Sequence, residues 1–191
     1  MAHLSRNAQV LRYLLEIAPG VGRIKLVKYA YLADCEAYRY LGRAISTFRY
    51  RFDKHGPFDR AFFEAKDELV QEGYATETLL RIGPYDGYDY RPTEEAVEYG
   101  FTQEEAEILR YVAETYLNAS AIRLCEDVVY NTPPMLGAKV GERLKMEKMR
   151  AVPDPLGFNL ERLLAAEASV EAGRYRPLKD AVDELRARYR A

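Results

Sequence analysis

The stretch that decides the fold is RIKLVKYAYLADCEAYRYLGRAISTFRYRFDKHGPF, which spans residues 23 to 58. Its first half predicts a helix over residues 22 to 41, because apolar side chains recur three and four positions apart. The residues that share this helix face are Ile24, Val27, Tyr31, Asp34, Tyr38 and Leu41. Asp34 therefore points where core residues point, and a buried carboxylate needs hydrogen-bonding or ionic partners. Tyrosine hydroxyls and Arg43 are the nearest candidates.

The second half of this stretch predicts a strand and a turn. Gly42 is suited to end the helix as a left-handed cap. Residues 47 to 52 then alternate in polarity, which is typical of a half-buried strand. One side of that strand carries Phe48, Tyr50 and Phe52, and the other carries Thr47, Arg49 and Arg51. The turn that follows is Asp53-Lys54-His55-Gly56-Pro57.

The rest of the chain predicts an α+β fold that is mostly helical with a small antiparallel sheet or hairpin. Further helices are expected over residues 4 to 18, from Pro57 or Asp59 to Gly73, from Thr93, from Thr102 with a capping box to Glu105, and from Ser120 to Pro133. Residues 74 to 82 and 87 to 91 flank a Gly-Pro-Tyr-Asp turn and predict a hairpin. We assign residues 1 to 150 to one domain and residues 151 to 191 to a C-terminal helical extension.

Length and composition indicate a soluble globular protein. The chain has 191 residues, 48% of them hydrophobic and 30% charged, which is enough for one domain with a core. It contains no run of roughly 20 apolar residues and no apolar signal-peptide segment, so we expect a cytoplasmic location without membrane insertion. Two isolated cysteines are too few for a disulfide framework or a structural zinc site.

No group of residues in the sequence points to catalysis. Cys35 lies between Asp34 and Glu36, whose charges oppose formation of the thiolate that a cysteine nucleophile needs. A metal site built from His55, Asp53 and Asp34 has no supporting ligand spacing. The chain also lacks the glycine-rich nucleotide motifs and the G-x-S-x-G motif of serine hydrolases. We therefore expect a protein that is not an enzyme and needs neither cofactor nor metal.

Charge and aromatic content favour a binding protein. The net charge is +6 over residues 1 to 60, −10 over residues 61 to 120 and +2 over residues 121 to 191. Such segregation can steer a charged partner, and it is equally typical of a fold that neutralises itself. The chain has 16 tyrosines and no tryptophan. Tyrosine and arginine are common at protein interfaces, although most tyrosines are expected to pack in the core.

Three short patterns occur in one order. They are Lys25, Leu26, Lys28, Tyr31, Ala33 and Asp34, then Gly42, Arg43 and Ile45, then Tyr50, Gly56 and Pro57. Together they resemble the SocA-like antitoxin family, also called the Panacea domain. The resemblance runs from about residue 17 to residue 134 and includes a Val-Tyr-Asn-Thr-Pro-Pro segment at its end.

The resemblance implies a non-enzymatic antitoxin that neutralises a cognate toxin by direct contact. Some members of that family also deliver the toxin to a protease, so protease or chaperone machinery is a further class of partner. Candidate partner-binding or family-signature residues are Tyr31, Asp34, Arg43, Arg49, Tyr50, Arg51, His55, Gly56 and Pro57. We expect the partner surface around Arg43, Arg49 and Arg51.

A winged-helix DNA-binding regulator is the main alternative. A winged-helix-like core would consist of two helices, a recognition helix over residues 59 to 72 and a hairpin. From Arg60 to Glu72 this helix carries four acidic residues against two basic ones, and phosphates repel acidic helices. Direct DNA binding is therefore not expected.

The end of the chain predicts an amphipathic helix. Its apolar stripe consists of Leu178, Val182, Leu185 and Tyr189. The stripe can cover the protein's own core, bind the toxin, or pair with a second copy as a homodimer. We favour its own core, because exposed apolar stripes are a liability.

Overall fold

The computed structural model describes residues 4 to 82 and 85 to 151. The C-terminal helices expected from the sequence, with the stripe that ends at Tyr189, lie outside the described residues. The assignment of residues 151 to 191 to a separate extension therefore stays a prediction. No helix among the described residues is long and apolar enough to cross a membrane.

The fold is α+β and mostly helical, as predicted. The α-helices are α1 (Arg6–Ile17), α2 (Arg23–Tyr40), α3 (Ala61–Gln71), α4 (Gln103–Thr115) and α5 (Ala121–Arg123). The strands are β1 (Val21–Gly22), β2 (Arg51–Asp53), β3 (Gly56–Phe58), β4 (Ala75–Ile82) and β5 (Tyr85–Pro92). A π-helical turn, Leu124–Val128, continues α5, and 3-10 turns follow at Val129–Asn131 and Met146–Ala151.

The helix ends follow their local sequence signals. Thr102 caps α4 by accepting from the Glu105 amide, and the Glu105 carboxylate accepts from the Thr102 amide, which completes the predicted capping box. Ser120 caps α5. Gly42 follows α2 with a φ of 71°, the left-handed conformation expected of a glycine that ends a helix.

Two small antiparallel sheets accompany the helices. One has the strand order β1-β5-β4, and the other pairs β2 with β3. The β4–β5 hairpin confirms the prediction, but its second strand begins earlier than expected, because Tyr85 and Asp86 already pair with β4. Along the chain, the β2–β3 pair separates α2 from α3, and the β4–β5 hairpin follows α3. The winged-helix-like core of the alternative stays a prediction.

The core is built around α2. Every residue from Leu26 to Cys35 is buried, and α2 packs against α1, α4 and the Met146–Ala151 turn. A helix with neighbours on several sides is apolar nearly all round rather than along one stripe. The expected single face was therefore too narrow, and Ile24 on that face is 43% exposed.

The strand predicted over residues 47 to 52 begins only at Arg51. Side chains replace a neighbouring strand before that point: the Thr47 amide donates to Asn7 Oδ1 at 2.8 Å, and the Arg49 amide donates to the Asp59 carboxylate at 2.5 Å. The chain is nevertheless extended, and Phe48 and Tyr50 are buried as the alternation predicted.

The short helix predicted after Thr93 is also absent, and residues 95 to 102 form no helix or strand. Side chains of α1 hold this segment by its backbone. Arg12 donates to the carbonyls of Thr93 and Glu95 at 3.0 and 3.1 Å. Gln9 Oε1 accepts from the Gly100 amide at 2.9 Å. These bonds to α1 take up backbone groups that a local helix would have used.

Candidate functional site

Asp34 is the hub of the predicted signature. Its side chain is buried on α2, with the residue 1% exposed, and its carboxylate accepts four hydrogen bonds. Oδ1 accepts from the amides of Ile45 and Ser46, both at 2.9 Å. Oδ2 accepts from the Ser46 hydroxyl and from Tyr50 Oη, the latter at 2.9 Å. Burial raises the pKa of Asp34, and these hydrogen bonds counteract part of the rise.

This arrangement confirms the structural environment expected for Asp34 and corrects one of its expected partners. The tyrosine partner is present as Tyr50. Arg43 instead contacts Glu105 of α4, with 2.5 Å between Nη1 and Oε1. Glu105 also binds Arg6 of α1 at 2.6 Å. Arg43 therefore joins the loop after α2 to the start of α4, and Asp34 needs no cation because four donors surround it.

Tyr31 joins α2 to the segment that follows α5. Its hydroxyl lies 2.7 Å from Thr132 Oγ1, and that hydroxyl in turn donates to the Val129 carbonyl at 2.7 Å. The Tyr31 ring packs edge-to-face on Tyr50, with 5.2 Å between centroids. Both tyrosines are buried, so neither is presented to a partner.

Lys28 fixes the β2–β3 turn to α2. Its ammonium donates to the Pro57 carbonyl at 2.9 Å. Gly56 stands beside it with a φ of 90°, and a Cβ there would lie 3.2 Å from Lys28 Nζ and 3.4 Å from the Tyr130 ring. Gly56 and Pro57 are buried. The His-Gly-Pro turn is therefore a close-packed joint in which only glycine fits without displacing the lysine.

Lys28 makes stability depend on pH. Burial lowers its pKa from 10.5 to about 8, against opposing contributions from Cys125 and Asp53. Between these pKa values the unfolded chain binds a proton that the folded protein does not, so stability rises with pH. We expect a gain of roughly 2 kcal/mol from about pH 8 to about pH 10 relative to Lys28→Met, measured by urea unfolding. Parallel pH curves for the two proteins would contradict this.

Arg49, Arg51 and Arg143 form an exposed cluster, here called the arginine face. Arg51 and Arg143 are opposed across an isolated backbone bridge, and Arg49 and Arg143 line the same two cavities, of about 400 and 500 Å³. Among the described residues, none of the three arginines forms an ion pair with an acidic side chain. Asp59 and Glu64 also line the larger cavity, so the face is basic but not uniformly so.

The structure thus divides the predicted site residues into two groups. Tyr31, Asp34, Tyr50, Gly56 and Pro57 are buried. The exposed residues are Arg49, Arg51, His55 and Arg43. Of these, Arg43 forms an ion pair with Glu105. His55 lies apart from the arginine face, beside a cavity of about 380 Å³ that Arg23, Arg60 and Phe63 also line.

Sequence reasoning missed Arg143. It belongs to the basic segment that follows residue 135, where exposed Arg143 and Lys145 alternate with buried Leu144 and Met146. That period of two was a readable signal of an extended segment. The proximity of Arg143 to Arg49 and Arg51 could not be predicted, because about 90 residues of chain separate them.

Cys35 lies in an environment that disfavours its thiolate. Burial raises the pKa of the Cys35 thiol well above its usual value, with further contributions from Glu36 and Asp34. This agrees with the expectation that Cys35 stays protonated. Within residues 4 to 82 and 85 to 151, no cluster of three or more His, Cys, Asp or Glu side chains is arranged to hold a metal ion.

The family model described as "Antitoxin SocA-like, Panacea domain" matches residues 26 to 132. This match covers more than half of the chain and includes most of α2, the Asp34 hub and the Gly-Pro turn. The chain therefore belongs to the SocA-like antitoxin family and carries its Panacea domain. No curated protein and no solved structure is significantly similar to the chain.

Proposed function

We propose that this chain is a non-enzymatic antitoxin that neutralises a cognate toxin by direct protein–protein binding. The observation that carries the proposal is the family match, which spans the buried signature and the loops it holds. The buried residues of that signature position loops rather than reacting groups, which is what a binding scaffold requires. The partner is accordingly a protein surface, not a small substrate.

The arginine face is the part of this scaffold that we assign to toxin contact. Arginine is enriched at interface hot spots, because its planar guanidinium binds carboxylates through two hydrogen bonds and stacks on aromatic rings. Arg49 and Arg143 are exposed and form no ion pair with an acidic side chain of the described chain. They are therefore available to acidic groups of a partner. The toxin surface that binds here is expected to be acidic.

Charge reversal tests this assignment. The double variant Arg49→Glu/Arg143→Glu should weaken binding to the toxin at least about tenfold, because it places two negative charges against an acidic surface. The candidate toxin is a small protein encoded by a reading frame beside this one, and binding can be measured by calorimetry with an inactive variant of it. Loss of growth rescue on co-expression gives a second readout.

Arg123→Glu is the matched control, since Arg123 is also an exposed arginine but lies at the end of α5, outside the arginine face. It should bind like the wild type. Equal binding by all three proteins, with unchanged melting temperatures, would move the interface away from the arginine face. Failure of the wild type to bind or rescue would reject the antitoxin function itself.

Direct neutralisation and delivery to a protease are separable. If contact alone suffices, the purified antitoxin should inhibit the purified toxin with no protease present. If the chain acts as a protease adaptor, inhibition should appear only with protease and ATP, and the toxin should be degraded. The first outcome is the one that we propose.

A DNA-binding regulator is the second candidate, because the strand order β1-β5-β4 and the preceding helices have the helix-and-wing layout. The surface of α3 argues against it. Glu64 and Asp67 are exposed there, and Glu72 follows at its end, so the helix that would enter the major groove repels phosphates. A nanomolar, sequence-dependent shift at physiological salt would favour the regulator over the antitoxin.

A further inference from the structure

Strand β4 is an edge strand with a free side. It pairs with β5 on one side only, and no strand of the described chain pairs with its other side. Its sequence, ATETLLRI, contains no proline. Leu79 and Leu80 are 54% and 42% exposed, although they occupy adjacent positions and point to opposite faces of the hairpin. Unpaired edges of this kind are templates for pairing with another strand.

The hydrogen-bond pattern of the hairpin fixes which backbone groups face outward. The Thr93 amide donates to the Tyr74 carbonyl at 3.2 Å, which makes these two a hydrogen-bonded pair just beyond the end of the hairpin. Such pairs recur at every second position of an antiparallel ladder. The residues of β4 bonded to β5 are therefore Thr76, Thr78 and Leu80, in the register of the hairpin. Those that turn their amide and carbonyl outward are Ala75, Glu77, Leu79 and Arg81.

An independent bond agrees with this assignment. Tyr90 lies opposite Glu77 in the register, and its carbonyl accepts from the Gly20 amide at 2.8 Å, next to β1. Tyr90 thus turns its backbone away from β4, as the outward position of Glu77 requires.

We propose that the outer edge of β4 pairs with the same edge of a second copy of this chain, antiparallel and centred on Leu79. In that register Leu79 faces Leu79 of the other copy, and Glu77 faces Arg81. All of these positions direct their backbone groups outward, so each opposed pair can form both of its hydrogen bonds. The result is an isologous two-fold dimer with one continuous sheet.

This register is selected by charge and by the length of β4. A centre on Thr78 or Leu80 would also oppose outward residues, but it would place Leu79 opposite Glu77 or Arg81, so that a charged residue faces an apolar one. A centre on Glu77 would run the pairing past the start of β4 into the turn at Gly73. Only the Leu79 centre places an acidic residue opposite a basic one on both sides of the axis, and cross-strand pairs of opposite charge stabilise a sheet.

The charged side chains on this edge have partners within the chain but keep exposed surface. Arg81 has a side chain that is 83% exposed, and its nearest carboxylate, Asp86, is 3.8 Å away. Glu77 accepts from Lys66 at 3.1 Å and from Tyr90 at 2.7 Å, and its side chain remains 23% exposed. The two leucines would bury apolar surface that is otherwise open to water.

Register-specific crosslinking tests the proposal. In a Cys125→Ser background of the full chain, Leu79→Cys places two cysteines in a directly opposed pair, where Cα atoms lie about 5.5 Å apart, within disulfide range. Arg81→Cys is the control, because its partner across the axis is Glu77 and two such cysteines are several residues apart. Oxidised glutathione should convert mainly Leu79→Cys to a covalent dimer. Equal crosslinking of both variants, or of neither, would overturn the proposal.

Sedimentation velocity tests the same edge without crosslinks. The wild type should sediment as a concentration-dependent dimer at tens of micromolar, the range expected of a small interface. Leu79→Pro should be monomeric, because it removes an outward amide while sparing every bond to β5. Ile122→Ser, which removes a residue that is 69% exposed elsewhere, should dimerise normally. A wild type that stays monomeric would overturn the proposal. If its Leu79→Pro variant loses only toxin binding, the toxin and not a second copy binds this edge.

Discussion

Asp34→Ala should lower the free energy of unfolding by about 3 to 5 kcal/mol, because it leaves buried donors without an acceptor. The donors are the amides of Ile45 and Ser46 and the hydroxyls of Ser46 and Tyr50. The loop after α2 has few other hydrogen bonds to that helix. We therefore expect the loop to detach from α2 in the same transition in which the protein unfolds. Urea unfolding followed by circular dichroism measures the loss.

Asp34→Asn is the informative companion variant. Its amide oxygen can still accept from the two backbone amides, so we expect a smaller loss than for alanine. Glu114→Ala, which removes an exposed carboxylate from α4, should change the free energy of unfolding by no more than about 0.5 kcal/mol. A melting temperature for Asp34→Ala equal to that of Glu114→Ala would disprove the structural role of Asp34.

The sequence was most informative where cause and effect lie close together in the chain. The helix pattern of α2, the glycine that ends it and the capping box at Thr102 depend on neighbours within a few residues, and all three were predicted. Burial of Asp34 followed from the same pattern. Its tyrosine partner, Tyr50, is only 16 residues away.

Predictions failed where side chains of other elements take over backbone hydrogen bonds. Asn7 and Asp59 bind the backbone that was expected to pair as a strand, and Arg12 binds the backbone that was expected to be helical. Arg43 was one candidate partner of Asp34 because it is near in sequence, whereas its actual partner Glu105 is 62 residues away. A single sequence carries no signal of such pairings.

The residues of this chain that match the family pattern therefore have a structural role. Lys28, Tyr31 and Asp34 lie three residues apart along α2, and each holds a different segment: the Gly-Pro turn, the segment before the double proline, and the loop after the helix. The residues that match the family pattern thus maintain the scaffold. We propose that partner choice falls to the exposed residues between them, such as Arg49 and Arg51.

Gly56→Ala should lower the free energy of unfolding by about 3 to 4 kcal/mol, since two costs combine at this position. The φ of 90° is unfavourable for any residue with a side chain, and the new methyl group would lie 3.2 Å from the Lys28 ammonium and 3.4 Å from the Tyr130 ring. Moving Lys28 would break its bond to the Pro57 carbonyl and leave a buried charge without its acceptor. Urea unfolding measures the sum.

Gly73→Ala separates the two costs. Gly73 has a φ of 77°, but a Cβ there meets nothing within 4 Å, so only the backbone strain of about 1 to 2 kcal/mol remains. The difference between the two glycine variants reports the close packing against Lys28. That difference should shrink when both are made in Lys28→Met, because the thioether side chain has no charge to keep satisfied and adapts to the methyl group. If Gly56→Ala and Gly73→Ala cost the same in the wild-type background, the lysine joint contributes nothing to holding the turn.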